Sequence, residues 1–135
     1  MSTILECRNL TKTYGAKKAL DHINLKLDSG KIIGLLGPNG SGKTTILKLI
    51  NRLLTVSDGQ LLIDGMEPGV KTKAIVAYLP ERTYLNPNMK IYEILNYFSD
   101  FYEDFDRSRA FDMLKRLNIN PSDRLRTMSK GTKEK

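Results

Sequence analysis

The chain has 135 residues, a formal net charge of +7, 40% hydrophobic residues and one cysteine. This length allows one domain with a buried core, and the composition is ordinary for a globular protein. No apolar run approaches the roughly 20 residues that cross a bilayer, and the first residues do not resemble a signal peptide. Cys7 has no second cysteine to pair with, which excludes an internal disulfide and favours a reducing, cytoplasmic setting. We interpret Cys7 as a small strand residue.

The basic charge raises the hypothesis of nucleic-acid binding. The lysines are scattered along the chain, however, and no recognition motif interleaves them with aromatic residues. A solvated basic surface explains them better, and we predict no nucleic-acid partner.

The N-terminal segment predicts three strands. Residues 4–10 form the first, which is followed by a polar turn over residues 11–15. Alternating apolar positions over residues 23–27 indicate a half-buried strand, on which His22 points outward and is interpreted as a surface residue. After a turn at residues 28–30, the apolar run KIIGLL (residues 31–36) is typical of a buried parallel strand.

Residues 37–45 (GPNGSGKTT) fit the pattern G-x-x-x-x-G-K-[ST] of a phosphate-binding loop. Apolar residues then recur at helical spacing: Ile46, Leu47, Leu49, Ile50, Leu53 and Leu54. Strand, glycine-rich loop and helix together are the context that this motif requires.

Further along, residues 57–59 and 64–65 predict turns that flank a strand at residues 60–63. The apolar run at residues 74–79 is again typical of a strand, and it ends at Pro80.

From about Lys90 the pattern becomes helical. Two helices are indicated by apolar faces, one with Ile91, Ile94, Leu95 and Phe98 and one with Ala110, Phe111, Leu114 and Leu117. Residues 118–121 end the second helix.

The chemistry of the loop follows from its residue types. Glycines let successive backbone N–H groups turn inward and form an anion nest, and the helix that starts there adds its positive dipole end. Lys43 would reach the β- and γ-phosphates of a nucleoside triphosphate, and the Thr44 hydroxyl would bind Mg²⁺.

Several separate segments resemble the ATP-binding subunit of an ABC transporter. Residues 34–45 are close to that family's own phosphate loop, since Pro38, Asn39 and the second threonine, Thr45, also fit. Residues 10–15 (LTKTYG) are similar to the segment whose aromatic residue stacks on adenine, which assigns that role to Tyr14. The alternative for Tyr14 is a partly buried tyrosine in a turn.

Residues 78–81 (YLPE) lie where the family carries its Q-loop, which contacts Mg²⁺, the attacking water and the transmembrane partner. The family's glutamine is replaced here by Glu81, whose carboxylate can still bind a hard cation but changes the local field. The alternative for Glu81 is an exposed loop residue.

Residues 128–135 (MSKGTKEK) resemble the family signature, usually written L-S-G-G-Q, in which Ser129 and Gly131 match strictly. The resemblance implies that this segment clamps the γ-phosphate held by the opposite subunit of a head-to-tail dimer. Lys130 replaces the first glycine, and Thr132 or Lys133 stands near the glutamine position. Taken alone, the segment would pass as a basic tail.

The resemblance therefore implies an α/β fold, a P-loop NTPase core with an antiparallel β subdomain and a partial helical subdomain. We expect one partial nucleotide-binding domain, β-rich with the phosphate loop over residues 1–87 and helical over residues 88–135. The nucleotide-binding residues are Tyr14, Gly37, Pro38, Asn39, Gly40, Ser41, Gly42, Lys43, Thr44 and Thr45. The metal ligands are Thr44 and Glu81. The residues that contact the opposite subunit are Ser129, Lys130, Gly131 and Thr132.

The acidic residues and the switch histidine that the family uses for hydrolysis do not follow the signature segment, so no catalytic residue is assigned. We therefore expect the chain to be a truncated form or a remnant of a longer protein. It should fold poorly or aggregate by itself, bind ATP weakly and not hydrolyse it.

The predicted function is that of an ATP- and Mg²⁺-dependent subunit that powers a transmembrane permease. The subunit would act as a homo- or heterodimer on the cytoplasmic face of the membrane. Glu81 and the small size of the domain favour export over import as the direction of transport. The alternatives are an ABC ATPase that acts on ribosomes or DNA, a GTPase or small kinase, and an inert remnant.

Overall fold

A three-stranded antiparallel sheet opens the chain. Its strands are β1 (Thr3–Tyr14), β2 (Lys17–Asp28) and β3 (Asp58–Ile63). The strand order is β2-β1-β3, so β1 is central and pairs with both neighbours. The antiparallel β subdomain and the strands predicted around residues 4–10, 23–27 and 60–63 are confirmed.

The computed structural model describes residues 1–82 and 84–133, except for the side chain of Lys130. The chain divides into two compact units, Met1–Leu79 and Pro80–Lys135. Within the described residues, no helix combines the length and the apolarity that a bilayer crossing needs.

The predicted turn over residues 11–15 is wrong, because β1 continues to Tyr14 before the chain reverses. A bulge at Asn9 (φ 47°) makes this possible by shifting the register between Cys7 and Leu10. Asn24 holds the bulge, since its Oδ1 accepts from the Asn9 N–H (2.9 Å) and its Nδ2 donates to the Asn9 Oδ1 (3.1 Å). An extra residue in one strand thus keeps the polar segment paired.

The core of the first unit lies between the sheet and one helix. The helix is α1 (Lys43–Ile50), and the buried apolar residues are Cys7, Leu10, Leu20, Ile46, Leu49, Leu61 and Ile63. Burial raises the pKa of the Cys7 thiol, with a smaller contribution from the negative charge of Glu6. Cys7 is therefore a small core residue of the central strand, as predicted.

The helical stripe predicted after the phosphate loop is confirmed in part. Ile46 and Leu49 are buried, and Ile50 packs against them. Leu47 is 43% exposed, and Leu53 lies beyond the helix end. The Asn51 side chain and backbone both donate to the Leu47 carbonyl, which ends α1 earlier than the apolar pattern indicated.

Two predicted strands do not form. Residues 31–36 and 74–79 have no strand conformation, and Ile32, Leu36 and Leu79 are at least 93% exposed. A strand needs a partner for its backbone groups, and the sheet formed by the described residues pairs with neither segment. The β-branched composition indicated strands but could not supply that partner. Poor solubility of the chain by itself stays a prediction, for which these exposed apolar side chains give a physical reason.

The second unit is helical. A short helix, α2 (Val70–Lys73), still belongs to the first unit and precedes it. The helices of the second unit are α3 (Ile91–Phe101), α4 (Arg107–Arg116), a 3₁₀ turn (Leu125–Thr127) and α5 (Lys130–Lys133). Ile91, Ile94 and Leu125 are its buried core, so the apolar face predicted for α3 is confirmed. The predicted α4 is also present: Asp106 caps its start by accepting from the Arg109 N–H, and it ends just before residues 118–121.

Candidate nucleotide-binding site

Gly42 joins the phosphate loop to the sheet. It precedes α1 with φ 95°, and its carbonyl accepts the Ile46 N–H at 3.0 Å. A Cβ atom at this position would lie 2.6 Å from the Ala19 carbonyl oxygen and 2.7 Å from the Leu20 Cδ2. Only glycine tolerates both this φ and this close approach. As a result, strand β2 lies directly against the start of α1.

Lys43 is half-buried and folds back over the loop that precedes it. Its Nζ donates to the Gly37 carbonyl, to the Pro38 carbonyl (2.7 Å) and to the Ser41 Oγ (3.2 Å). All three acceptors are neutral, and an anionic oxygen would bind the ammonium more strongly than any of them. The lysine charge thus lies against the loop that precedes it.

A groove of about 260 Å³ runs along this loop. Its lining residues are Tyr14, Lys17, Ala19, Asn39, Gly40, Gly42, Lys43, Thr44 and Thr45. Tyr14 is 47% exposed at the end of β1, and the Lys12 Nζ lies 5.3 Å from its ring centroid. The structure therefore brings the predicted base-stacking residue and the predicted phosphate-binding residues to one groove. Gly37, Pro38 and Ser41 do not line the groove but hold Lys43 beside it.

Sequence reasoning missed Lys17 and Ala19. Both lie at the start of β2, and Lys17 is the register partner of Tyr14. Residues directly opposite in an antiparallel pair project from the same face, so a role for Tyr14 implied a role for its partner. That signal was lost because residues 11–15 were predicted as a turn instead of a strand.

The residue of the groove that was predicted to bind Mg²⁺ is Thr44. Thr44 is exposed in the groove and offers a hydroxyl oxygen. Across the described residues, no group of three or more histidine, cysteine or acidic side chains could hold a metal ion. Mg²⁺ is commonly held by one or two protein oxygens together with substrate phosphates and water, and this arrangement fits that pattern.

The remaining predicted site residues belong to the second unit. Glu81 is exposed in a bend. The Ser129 Oγ accepts from the Thr132 N–H at 3.2 Å and lies 2.9 Å from the Thr132 Oγ1, so it caps the short helix α5. Gly131 is exposed. The Lys130 side chain and residues 134–135 lie outside the described residues. The roles assigned to Glu81 and to the signature segment stay predictions.

Comparison with known families shows which family the chain belongs to. The family model described as ABC transporter matches residues 20–135. The chain therefore belongs to the ABC transporter family and is related to its ATP-binding proteins.

Three relatives show the breadth of the match. The ABC transporter ATP-binding protein YtrB of Bacillus subtilis is 31% identical over 97% of this chain and 46% of its own length. The phosphonates import ATP-binding protein PhnC 2 of Oceanobacillus iheyensis is 31% identical, with 87% and 54% covered. The lipopolysaccharide export system ATP-binding protein LptB of Haemophilus influenzae is 29% identical, with 87% and 53% covered. The chain thus spans about half the length of these curated relatives.

A solved ATP-binding subunit of an ABC transporter superposes with a TM-score of 0.83 at 27% identity. The match covers 98% of this chain and 58% of that one. The predicted fold class, the α/β fold of a P-loop NTPase cassette, is confirmed.

Proposed function

We propose that this chain binds Mg-ATP in the groove between Tyr14 and the phosphate loop. The observation that carries the proposal is that one groove is lined by both an exposed aromatic ring and the residues of the loop. The aromatic ring suits a base, and the Lys43 ammonium together with the backbone amides of the loop suits a polyphosphate.

Binding would proceed by an exchange of partners at Lys43. Its Nζ now donates to two carbonyls and a hydroxyl, and phosphate oxygens would replace some of these acceptors. The amides of the first turn of α1 would donate to the same anion, and the dipole of α1 would add to their field. The Thr44 hydroxyl would hold Mg²⁺, which neutralises phosphate charge when bound.

We propose that this chain contributes binding but not hydrolysis. Phosphoryl transfer to water depends on groups that position the water and stabilise the developing charge. Thr44 and Glu81 are assigned to hold Mg²⁺, and no catalytic residue that would activate the water is assigned. Members of this family are generally ATPases. We therefore propose that the complete protein hydrolyses ATP and that this chain supplies its nucleotide-binding groove.

The proposed cellular role is to energise a transmembrane permease from the cytoplasmic face, as a homo- or heterodimer with another nucleotide-binding domain. Ser129, Gly131 and Thr132 would contact the nucleotide of the opposite subunit. We propose export as the direction of transport, on the basis of Glu81. Relatives named for import and for export match this chain at similar identity, so the direction rests on that residue.

The proposed stacking of adenine on Tyr14 is tested by substituting this residue. We expect Tyr14→Ala to weaken Mg-ATP binding about five- to tenfold, because stacking on an aromatic ring contributes roughly 1–1.5 kcal/mol. Tyr14→Phe keeps the ring and should bind within about twofold of the wild type. Isothermal titration calorimetry measures all three affinities.

A competition experiment complements this comparison. ATP should displace a fluorescent ATP analogue at a lower concentration than GTP does. In Tyr14→Ala, the concentrations of ATP and of GTP that displace the analogue should lie closer together than in the wild type. Equal binding by the alanine and phenylalanine variants and the wild type would rule out base stacking on this residue.

A further inference from the structure

Lys17 brings a second cation to the groove. It is the first residue of β2 and the register partner of Tyr14, which is the last residue of β1. Paired side chains on adjacent antiparallel strands have Cβ atoms roughly 4.5–5.5 Å apart and project from the same face. Both residues line the groove that also contains Lys43 and Thr44.

The ammonium of Lys17 is uncommitted, unlike those of its neighbours. The Lys18 Nζ binds the Asp21 carboxylate at 3.0 Å, and the Lys12 Nζ lies over the Tyr14 ring. The Lys43 Nζ is held by three oxygens of the loop. Among the described residues, the side chain of Lys17 makes no hydrogen bond or ion pair, and only its backbone pairs with β1. Its charge is therefore free to pair with a ligand that enters the groove.

The position of Lys17 indicates which part of a nucleotide it would meet. Tyr14 fixes the base end, and the loop amides with Lys43 fix the terminal phosphates. The α-phosphate lies between these two ends because it links the ribose to the β-phosphate. Lys17 lines the groove directly beside Tyr14, so the α-phosphate is the phosphate nearest to it when the base stacks on Tyr14.

We propose that Lys17 is a positioning residue that binds the α-phosphate of the nucleotide and holds the base end against Tyr14. The inference rests on the proposed function of the groove. It adds a contact that distinguishes the two lysines. Lys43 would sense the number of phosphates, whereas Lys17 would sense only that the nucleotide has an α-phosphate.

The test compares Lys17→Met with the wild type in titrations of the full chain with AMP, Mg-ADP and Mg-ATP. We expect affinity to fall about five- to tenfold for all three nucleotides and by the same factor, because one charge-assisted contact to the α-phosphate, which all three carry, is lost. An unchanged affinity for AMP would place the contact on the β-phosphate instead. Lys43→Ala should instead lose more affinity for ATP than for ADP. Lys17→Arg keeps the charge and should bind within about twofold of the wild type.

Lys18→Met is the matched control. It removes the same charge one residue away, from a side chain that is already paired with Asp21, so nucleotide affinity should stay within about twofold. Circular dichroism spectra of the variants should superpose, since Lys17 is exposed. An unchanged affinity in Lys17→Met, or a loss confined to ATP, would overturn the α-phosphate contact while leaving the groove in place. The absence of saturable binding by the wild type would instead overturn the proposed function itself.

Discussion

Replacing Lys43 with alanine is expected to weaken Mg-ATP binding roughly 10- to 100-fold, because a hydrogen bond to a charged group contributes about 1.5–3 kcal/mol. The variant loses the cation that lies against the loop. It also loses the donor that ties the carbonyls of Gly37 and Pro38 to the Ser41 hydroxyl. The substitution therefore removes the positive charge and, at the same time, the hydrogen bonds that hold the loop in its conformation. Isothermal titration calorimetry of the variant against the wild type measures the effect.

Lys48→Ala is the control for this variant. Lys48 lies on the same helix α1 and carries the same charge, but it is exposed and does not line the groove. Its removal should leave the affinity within about twofold. If Lys43→Ala binds Mg-ATP as tightly as Lys48→Ala does, the loop is not the phosphate site.

Gly59→Ala is expected to destabilise the first unit by roughly 3–5 kcal/mol, a large part of the 5–15 kcal/mol that holds a typical domain together. A Cβ atom at this position would lie 2.1 Å from the Asn9 carbonyl oxygen and 2.6 Å from the Arg8 carbonyl oxygen. Both are backbone atoms of the central strand, at the bulge, so neither can move without breaking the pairing of β1 with β3. Urea denaturation followed by circular dichroism, at low micromolar concentration to limit self-association, measures the loss.

Gly65→Ala separates this clash from backbone strain. Gly65 has φ 74°, close to the 78° of Gly59, but a Cβ atom there would meet nothing within 4 Å. The free energy of unfolding of this control should therefore fall by only about 1 kcal/mol, which is the cost of holding an alanine in the left-handed conformation. Equal destabilisation by the two variants would show that the close approach of β3 to the bulge does not exist in solution.

Local patterns in the sequence predicted much of the site. The spacing of glycines, lysine and threonine in residues 37–45 defines the phosphate loop, and the apolar stripe after it defines α1. Both depend on neighbouring residues, which sequence reasoning can see. Tyr14 was assigned by resemblance, and the structure places it in the same groove as the loop.

Features that depend on distant partners could not be predicted in this way. Residues 31–36 have the composition of a buried strand, but strand formation depends on a neighbour that no local pattern specifies. The bulge at Asn9 depends on Asn24, which lies on the other strand of the hairpin. The role proposed for Lys17 follows only from its pairing with Tyr14, because its own neighbours in sequence mark it as one more surface lysine.

The central claim is that the backbone amides of the loop bind the polyphosphate. Amide hydrogen exchange of the full chain, with and without saturating Mg-ATP, tests it most directly. Exchange should slow over residues 39–45, where amides would become donors to phosphate, and remain unchanged over β3, which does not contribute to the loop. Binding of Mg-ATP without any slowing over residues 39–45 would contradict the claim, because the nucleotide would then be held elsewhere.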